Sequence, residues 1–348
     1  MTGKYKSSAT IISVDQAVGT VLAHDITEIR PGQFKGPAFK KGHIIREEDV
    51  QHLKRLGKEH LYVLKLGPDE LHEDEAALRI ANVIAGPGVS FEESPSEGKI
   101  ALKAAHPGLL KINVEALVEL NMTPEISCSS RHTNTVVQSG DILAATRAIP
   151  LILKEKTLME ALDAIRACGP VFTVKALAQP PAGLVVTGNE VYNRLIEDKF
   201  APIIRKKLAA YGCEVCKLVF SPDKLDRIVG GIRSVIQAGA RLVMVAGGMS
   251  VDPDDISRLA VAEAGADPVI YGTPVLPGAM FLYGRIGETP ILGLPACVLF
   301  YRATVLDLVL PRVLAGEEIT RRDLAEMAHG GMCLQCEACR YPVCPFGK

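Results

Sequence analysis

The sequence contains no tryptophan, few other aromatic residues and almost no net charge. Aromatic residues make up 5% of its 348 residues, and 39 Lys and Arg residues nearly balance 40 Asp and Glu residues. Proteins that bind nucleic acids need a basic surface or aromatic side chains on which bases stack. We therefore expect no nucleic-acid partner.

The chain also lacks a long hydrophobic segment. No apolar run approaches the roughly 20 residues that span a bilayer, and the opening MTGKYKSSATIISV has neither the apolar stretch nor the cleavage pattern of a secretory signal. We expect a cytoplasmic protein with no membrane partner. The nine cysteines agree with a reducing compartment, because four of them crowd between residues 333 and 344 at a spacing typical of metal ligands.

The most informative stretch is RLVMVAGGMSVDPDD, residues 241–255. Leu242–Ala246 is a continuous apolar run, which predicts a parallel strand that is buried on both faces. Gly247 and Gly248 follow directly, and apolar residues at helical spacing begin at Ile256. A buried strand, a glycine pair and a helix N-terminus together indicate an anion site, because backbone N–H groups can approach a phosphate there.

Three aspartates in this stretch have two interpretations. Asp252, Asp254 and Asp255 would suit a site in which a hard divalent cation lies between carboxylates and a phosphate. They would also suit the N-cap and the acidic first turn of the following helix. The spacing alone favours neither interpretation.

Composition and periodicity divide the chain into five parts. A small mixed α+β module comes first, and short alternating runs then predict a small antiparallel β-rich module. A connecting helix, a strand and a proline-rich linker follow. From residue 182 strands and helices alternate, which predicts an α/β domain of three layers with a mostly parallel sheet. A helix and a cysteine-rich tail come last. The five predicted parts are residues 1–83, 84–153, 154–181, 182–316 and 317–348.

Individual elements are predicted from the same periodicities. In the first part we expect strands at Ala9–Val14 and His60–Leu64 and helices at 47–56 and 69–81. In the α/β domain we expect a long helix that reaches Tyr211. A last helix at 296–309 should end before a proline.

Ligands of open α/β sheets bind beyond the carboxyl ends of the strands. Five connections of the α/β domain lie at strand ends or at the rim of the sheet, and we expect them to meet in one crevice. They are Thr187–Glu190, Ser221–Asp223, Gly247–Asp255, Thr273–Gly278 and Gly293–Cys297.

Four segments of this domain carry a family resemblance. VVTGNEV, VAGGMSVDPDD, VLPGAMFLYG and ILGLPACVLFYRA resemble, in order and spacing, the molybdopterin-binding domain of molybdopterin molybdenumtransferases and gephyrin. The resemblance covers about residues 182–315, with a weaker one over residues 1–80. It implies that the chain binds molybdopterin or its adenylylated form and acts in molybdenum cofactor biosynthesis. Transferase members insert molybdate with a divalent metal and release AMP.

The resemblance also implies residue roles. Asp255 and Glu190 are the expected catalytic carboxylates, and Asp255 is the expected ligand of Mg²⁺. The residues expected to bind the cofactor lie in the loops named above. They are Thr187, Gly188, Asn189, Asp223, Gly247, Gly248, Met249, Ser250, Pro277, Gly278, Gly293, Leu294 and Pro295.

The sequence departs from the transferase pattern at several of these loops. Asn189 replaces the usual Asp, as in competence-damage-inducible relatives, and Leu276 and Ala279 replace two lysines. Two lost cations remove charge-assisted hydrogen bonds worth roughly 1.5–3 kcal/mol each. Pterin binding is less affected by this loss than molybdate insertion.

The tail contains four cysteines in the pattern C-x2-C-x2-C-x4-C-P. This pattern differs by one residue from the bacterial ferredoxin run, in which the last cysteine serves a second cluster. We expect Cys333, Cys336, Cys339 and Cys344 to bind metal, and both structural zinc and an iron–sulfur cluster remain open. The other C-x2-C pair, Cys213 and Cys216, enters a predicted strand and is interpreted as buried apolar cysteine.

These features are consistent with three functions. The first is a molybdopterin-binding protein of cofactor synthesis or delivery, with Mg²⁺-dependent molybdate insertion if it is an enzyme. The second is a non-catalytic chaperone or sensor with a metal-bound tail, and the third is a hydrolase of another nucleotide or pterin. We expect self-association, and a molybdoenzyme or another cofactor-synthesis protein as partner.

Overall fold

The computed structural model describes residues 10–30, 32–63, 66–96 and 98–348, without the side chain of residue 63. The chain forms two compact units, residues 1–174 and 175–348. Ala9 and Leu64, which end two of the expected strands, lie outside the described residues. None of the helices in these ranges is both long enough and apolar enough to span a bilayer.

In the first unit the described residues form short strands and four α-helices. Its elements are β1 (Thr10–Ser13), β2 (Ile26–Arg30), β3 (Phe34–Phe39), α1 (Glu47–Arg55), β4 (His60–Val63), β5 (Glu70–His72), α2 (Glu73–Ile84), β6 (Val89–Ser90), β7 (Lys99–Ala104), β8 (Gly108–Ile112), α3 (Val114–Asn121), β9 (Ile126–Ser130), β10 (Thr135–Val137), β11 (Ile142–Ala148), β12 (Ile152–Lys154), α4 (Glu155–Arg166) and β13 (Phe172–Lys175).

Antiparallel strand pairs occur within residues 84–153, whereas the separate β-rich module expected there stays a prediction. Strands β6, β7, β11 and β9 form one antiparallel sheet, although α3 within this stretch was not predicted. One core joins Ile80 of α2, Leu102 of β7 and Leu162 of α4. The positions 83/84 and 153/154 therefore do not separate independent cores, and the five-part division stays a prediction.

The helix predicted at residues 69–81 is displaced toward the C-terminus. Its first residues form β5, which pairs with β12, and α2 begins only at Glu73. The His72 side chain ends the strand and caps the helix, because its Nδ1 accepts the backbone N–H of Asp74 at 3.1 Å.

The second unit is the α/β unit. Its elements are β14 (Ala182–Thr187), α5 (Asn189–Tyr192), α6 (Phe200–Ala209), β15 (Val215–Ser221), α7 (Leu225–Gln237), β16 (Leu242–Ala246), α8 (Ser257–Glu263), β17 (Val269–Tyr271), β18 (Leu282–Ile286), β19 (Thr289–Leu294), a 3-10 helix (Ala296–Leu299), α9 (Val305–Leu314) and α10 (Arg321–Glu326).

The six-stranded sheet of this unit has the order β15-β14-β16-β19-β18-β17. Strands β15, β14, β16 and β19 are parallel to one another. Strand β18 pairs antiparallel with β19, and β17 pairs antiparallel with β18. Every residue of β14 is buried. Its side chains alternate, so that Leu184 packs in one core with α6 and α9, and Val185 in another with α7 and α8. The mostly parallel sheet is confirmed.

The long helix predicted to reach Tyr211 is wrong, since two helices, α5 and α6, occupy the segment. A new N-terminus forms before α6 because the Asp198 carboxylate accepts the backbone N–H groups of Phe200 at 2.8 Å and Ala201 at 3.1 Å. A side-chain acceptor for orphan N–H groups starts a helix wherever it occurs.

The last predicted helix is also wrong in its bounds. A short 3-10 helix is followed by α9, whose N-terminus is set by a capping box between Thr304 and Asp307. Pro311 lies inside α9. Because Pro311 has no N–H for the Asp307 carbonyl, that carbonyl instead accepts the Tyr341 hydroxyl at 3.0 Å. The cysteine-rich tail thus completes the helix that it packs on.

Candidate functional site

The expected loops of the α/β unit leave the sheet at one edge. Thr187 lies opposite Ser221, and Ala246 lies opposite both Val186 and Leu294, so four parallel strands end at the same level. The chain runs from β14 to β15 on one side and then to β16 on the other. In open α/β sheets a ligand crevice is expected at such a change of direction, which here lies between the ends of β14 and β16.

Two glycines allow close contact across this crevice. Gly247 and Gly248 have positive φ values of 96° and 60°. A Cβ on Gly247 would lie 2.5 Å from the carbonyl oxygen of Thr187, and one on Gly248 would lie 2.5 Å from the hydroxyl of Ser257. The loop after β16 therefore approaches β14 as closely as a bare backbone allows.

A pair of buried hydroxyls lies beneath the two glycines. The Thr187 and Ser257 hydroxyls are 3.1 Å apart, and both residues are buried. The backbone N–H of Ser257 also donates to the Gly248 carbonyl at 3.2 Å. These contacts hold the start of α8 against the end of β14. No motif in the sequence pointed to Ser257.

Met249 anchors the loop on its other side. It is 2% exposed, and a Cβ on Gly293 would lie 2.7 Å from its Cε. The Tyr271 hydroxyl donates to the Met249 carbonyl at 2.7 Å, and the Arg258 guanidinium lies over the Tyr271 ring. Gly293 and Met249, both expected to bind cofactor, thus contact each other within the wall of the crevice.

The interpretation of the aspartates as a helix cap is wrong. Helix α8 begins at Ser257, its N-cap is Ile256 with no side-chain cap, and its first turn has no acidic residue. Instead, the Asp255 carboxylate accepts the backbone N–H of Ser250 at 3.0 Å. Asp255 therefore closes its own loop, and the Ser250 amide, which was expected to bind phosphate, donates within the protein.

Asn189 and Asp223 bind each other. The Asn189 backbone N–H donates to the Asp223 carboxylate at 2.9 Å, and the Asp223 backbone N–H donates to the Asn189 side-chain oxygen at 3.2 Å. Gly188 donates its N–H to the Ser221 carbonyl at 3.2 Å. The loops after β14 and β15 are joined by these bonds, as the shared edge of the sheet predicted.

The acidic side chains around this pair influence each other. Burial raises the pKa of Asp223, and the negative charges of Glu190, Asp255 and Asp254 raise it further, while the bond from Asn189 opposes both effects. These carboxylates therefore share one region of negative potential. Within the described ranges, however, no three His, Cys, Asp or Glu side chains are arranged to hold a metal ion directly.

We expect Asn189→Asp to make the protein more responsive to Mg²⁺. The Asp oxygen can still accept the Asp223 N–H, but a further negative charge joins the acidic region and repels its neighbours. The melting temperature without Mg²⁺ should fall, and the increase on adding Mg²⁺ should exceed that of the wild type. Thermal melts with and without MgCl₂ measure this. An equal rise in melting temperature in the variant and the wild type would argue against Mg²⁺ binding beside residue 189.

Pro277 and Gly278 lie at the same edge, between β17 and β18. Gly278 has a φ of 134°, and a Cβ on it would lie 2.4 Å from Cγ1 of Val305. The backbone N–H of Val305 donates to the Pro277 carbonyl at 3.1 Å. This loop is therefore packed on the start of α9. Leu276 directly precedes the packed residues Pro277 and Gly278.

The tail cysteines surround one cavity of about 310 Å³. Cys333, Cys339 and Cys344 are partly buried and Cys336 is exposed. All nine cysteines of the chain are free thiols. The interpretation of Cys213 as buried is confirmed, but that of Cys216 is wrong because it is exposed on β15, at the edge of the sheet.

Two family models match the chain. Residues 183–315 match the model described as "Probable molybdopterin binding domain", and residues 11–65 match a domain of unknown function. The expected domain family is thereby confirmed for the α/β unit. A closer relation to gephyrin or to the transferases stays a prediction.

Curated relatives match only part of the chain. A CinA-like protein of a Sulfurihydrogenibium species is 32% identical over 88 residues, which are 25% of this chain and 22% of that protein. A CinA-like protein of Mycobacterium tuberculosis is 30% identical over 81 residues, 23% of this chain and 19% of that protein. The chain thus spans about a fifth of the length of these relatives.

Solved structures are similar over about two fifths of the chain. The molybdopterin biosynthesis enzyme MoaB of Thermus thermophilus is 22% identical, covering 40% of this chain and 98% of that one, with a TM-score of 0.34. The tungsten cofactor synthesizing protein MoaB of Pyrococcus furiosus is 18% identical, covering 39% and 91%, with a TM-score of 0.33.

Proposed function

We propose that the α/β unit binds molybdopterin through its phosphate and serves molybdenum cofactor biosynthesis. The observation that supports this most strongly is the close approach of Gly247 and Gly248 to Thr187, which leaves bare backbone at the crevice. Bare backbone at the end of a parallel strand is suited to a phosphate. The match of residues 183–315 to the molybdopterin-binding family model supports the same ligand.

The Gly247 N–H donates to the Leu294 carbonyl at 3.3 Å and the Ser250 N–H donates to Asp255, so the loop would bind a phosphate through the amides of Gly248 and Met249. The Asp255 carboxylate points toward its own loop, because it accepts the Ser250 N–H. The wall formed by Met249 and Gly293 holds this loop in place. Leu294 and Pro295 follow that wall directly, and Pro277 and Gly278 lie at the same edge of the sheet. We assign the pterin to this side of the crevice.

Mg²⁺ fits the acidic side of the crevice. Glu190, Asp223 and Asp255 provide hard oxygen ligands, and the raised pKa of Asp223 reflects, after burial, negative charges that a cation would neutralise. Since three ligands are not arranged around one point, the ion would keep waters and bind through phosphate oxygens, as Mg²⁺ commonly does. When bound, it supplies Lewis-acid stabilisation to a phosphoanhydride.

Whether the protein turns its ligand over decides between two functions. The acidic region favours Mg²⁺-dependent chemistry on adenylylated molybdopterin, which would make the chain a molybdenumtransferase with Asp255 and Glu190 as catalytic residues. Leu276 and Ala279, where transferases have lysines, favour a chaperone or sensor that only binds. Self-association and delivery to a molybdoenzyme or another cofactor-synthesis protein stay predictions.

Incubation with adenylylated molybdopterin, Mg²⁺ and molybdate tests both functions. AMP release at enzymatic rates supports the transferase, and tight binding without turnover supports the chaperone or sensor. AMP release that does not depend on molybdate would instead indicate a hydrolase. Absence of any binding would reject the proposed ligand.

We expect Asp255→Asn to weaken the Mg²⁺-dependent part of binding or turnover by about tenfold, the effect of one charge contact of about 1.4 kcal/mol. The Asn oxygen can still accept the Ser250 N–H, so the loop keeps its shape. Asp252→Asn is the matched control, because it removes the same charge from an exposed side chain of the same loop. Titrations with and without Mg²⁺ measure the difference, and equal losses in both variants would argue against a role for Asp255.

A further inference from the structure

The cysteine-rich tail is a folded part of the α/β unit. Phe346 is 2% exposed and lies in the same core as Leu324 of α10. Cys333, Cys339 and Cys344 pack against that core, and the Tyr341 hydroxyl completes α9 by donating to the Asp307 carbonyl. The cysteines are therefore held at defined positions by the packing around them.

The cavity that the four cysteines share has the lining of a site for a negatively charged group. Arg302 and Arg340 line it together with one acidic residue, Glu337, and aromatic residues form much of the remaining wall. Four thiolates around a metal group carry net negative charge, which these cations would offset.

The arrangement favours a group with several metal atoms over a single ion. In a zinc site with four thiolates the sulfur atoms lie about 3.8 Å apart, as Zn–S bonds of about 2.3 Å require. Within the described part of the chain no three such side chains are gathered in this way. The four cysteines instead lie around an open volume of about 310 Å³. A [4Fe–4S] cluster would suit such a volume, because each of its four thiolates binds a different iron atom.

The tail is bonded directly to the crevice. The backbone N–H of Cys333 donates to the Leu276 carbonyl, and the Leu276 N–H donates to the Gly331 carbonyl, both at 2.8 Å. Leu276 precedes the Pro277–Gly278 loop of the site. The far wall of the cavity, from Phe300 to Ala303, follows the Gly293–Cys297 loop in sequence. One loop that borders the pterin side is therefore bonded to the tail at Cys333, and the other leads along the chain to the wall of the cysteine cavity.

We propose that Cys333, Cys336, Cys339 and Cys344 hold an iron–sulfur cluster in this cavity, and that the cluster sets the position of the Leu276–Gly278 loop. The effect on the Leu276–Gly278 loop rests on the proposed function, whereas the binding of a cluster by the cysteines does not. Loading consumes ferrous and ferric iron in equal amounts together with sulfide. Each thiol releases a proton as it binds iron, so no net electron transfer is required.

The cluster is tested by purifying the full chain without oxygen and treating it with iron, sulfide and a thiol reductant. We expect iron and acid-labile sulfide in equal amounts, with a broad visible absorption near 400 nm. Cys336→Ser should lose most of this absorption and bound iron. Because Cys336 is exposed, circular dichroism should show an unchanged fold. Cys168→Ser and Cys216→Ser, at exposed cysteines outside the tail, are the controls and should load like the wild type.

Two results would overturn the cluster. One is stoichiometric zinc with no iron when both metals are offered, and the other is equal iron in Cys336→Ser and the wild type.

The link to the crevice has a separate measurement. The affinity for molybdopterin should be about tenfold higher in the loaded protein than in the metal-free protein, as a coupling between neighbouring sites would produce. Equal affinities would reject the link while leaving the cluster in place. A loaded protein with no affinity at all would instead refute the proposed function.

Discussion

Gly247→Ala is expected to reduce molybdopterin binding by about 100-fold while the protein stays folded. A Cβ at this residue would lie 2.5 Å from the Thr187 carbonyl oxygen and 2.9 Å from its hydroxyl. The loop must therefore move by about 1 Å away from β14, and a displacement of this size commonly costs about 100-fold at a binding or catalytic site. Isothermal titration or fluorescence quenching with molybdopterin measures the loss.

Gly239→Ala is a closely matched control for this experiment. Gly239 has a φ of 95°, against 96° for Gly247, but nothing lies within 4 Å of a Cβ placed on it. Both substitutions cost about 1–2 kcal/mol of backbone strain, and only that of Gly247 also displaces the loop at the crevice. We expect Gly247→Ala to melt at a lower temperature than Gly239→Ala, because only its Cβ meets backbone atoms, and we expect unchanged binding in Gly239→Ala. Equal affinities in both variants would place the ligand elsewhere.

Arg312→Met is expected to produce the largest loss of stability, about 3–5 kcal/mol. Arg312 is 8% exposed, and its guanidinium bonds Glu317 at 2.8 Å and also Asp323. Removing the guanidinium leaves two carboxylates close together on α10 and the turn before it. Urea unfolding at neutral pH measures the change in the free energy of unfolding.

The exposed pair of Arg322 with Glu326 on α10 is the control. Its bond is also 2.8 Å, but the Arg322 side chain is 87% exposed. Solvent screens such a pair, so Arg322→Met should change stability by at most about 0.5 kcal/mol. If both variants lose equal stability, burial of Arg312 is not the cause.

The effect of Arg312 should also depend on pH. Burial by itself would raise the pKa of Asp323, but hydrogen bonds from Thr320 and Arg312 outweigh it and lower the pKa from 3.8 to about 2. A carboxyl with a lowered pKa stabilises the fold above its unfolded value and loses that contribution as the pH falls. The wild type should therefore lose stability between about pH 4 and pH 2, and Arg312→Met should lose less over the same range.

The strand ends were predictable because their signals are local. Leu242–Ala246 is apolar throughout and ends in two glycines, and such a run forms a buried parallel strand whatever its neighbours are. The meeting of its loop with the loop at Thr187 followed from the sheet alone, since parallel strands end at one edge. Helix bounds were less predictable, because Asp198 and Thr304 cap helices at positions that periodicity does not mark.

The roles of individual polar groups could not be predicted, because they depend on partners distant in sequence. Ser257 holds the start of α8 against β14 through its contact with the Thr187 hydroxyl, which lies 70 residues earlier. Asp255 looked like a helix cap or a metal ligand, and its actual partner is the Ser250 amide, since the chain turns before α8 begins. Tyr341 completes α9 only because a proline there leaves a carbonyl without its usual donor.

The residue types and their order alone determined a parallel α/β domain with a glycine-bordered crevice, and a tail with four cysteines at the spacing of metal ligands. Both follow from local chemistry, since apolar runs bury themselves and glycine permits close backbone approach. Tertiary structure alone decided that the tail joins the crevice through Leu276 and Cys333, and that its thiols surround an open cavity. Such contacts arise when distant segments pack together, and no local pattern encodes them.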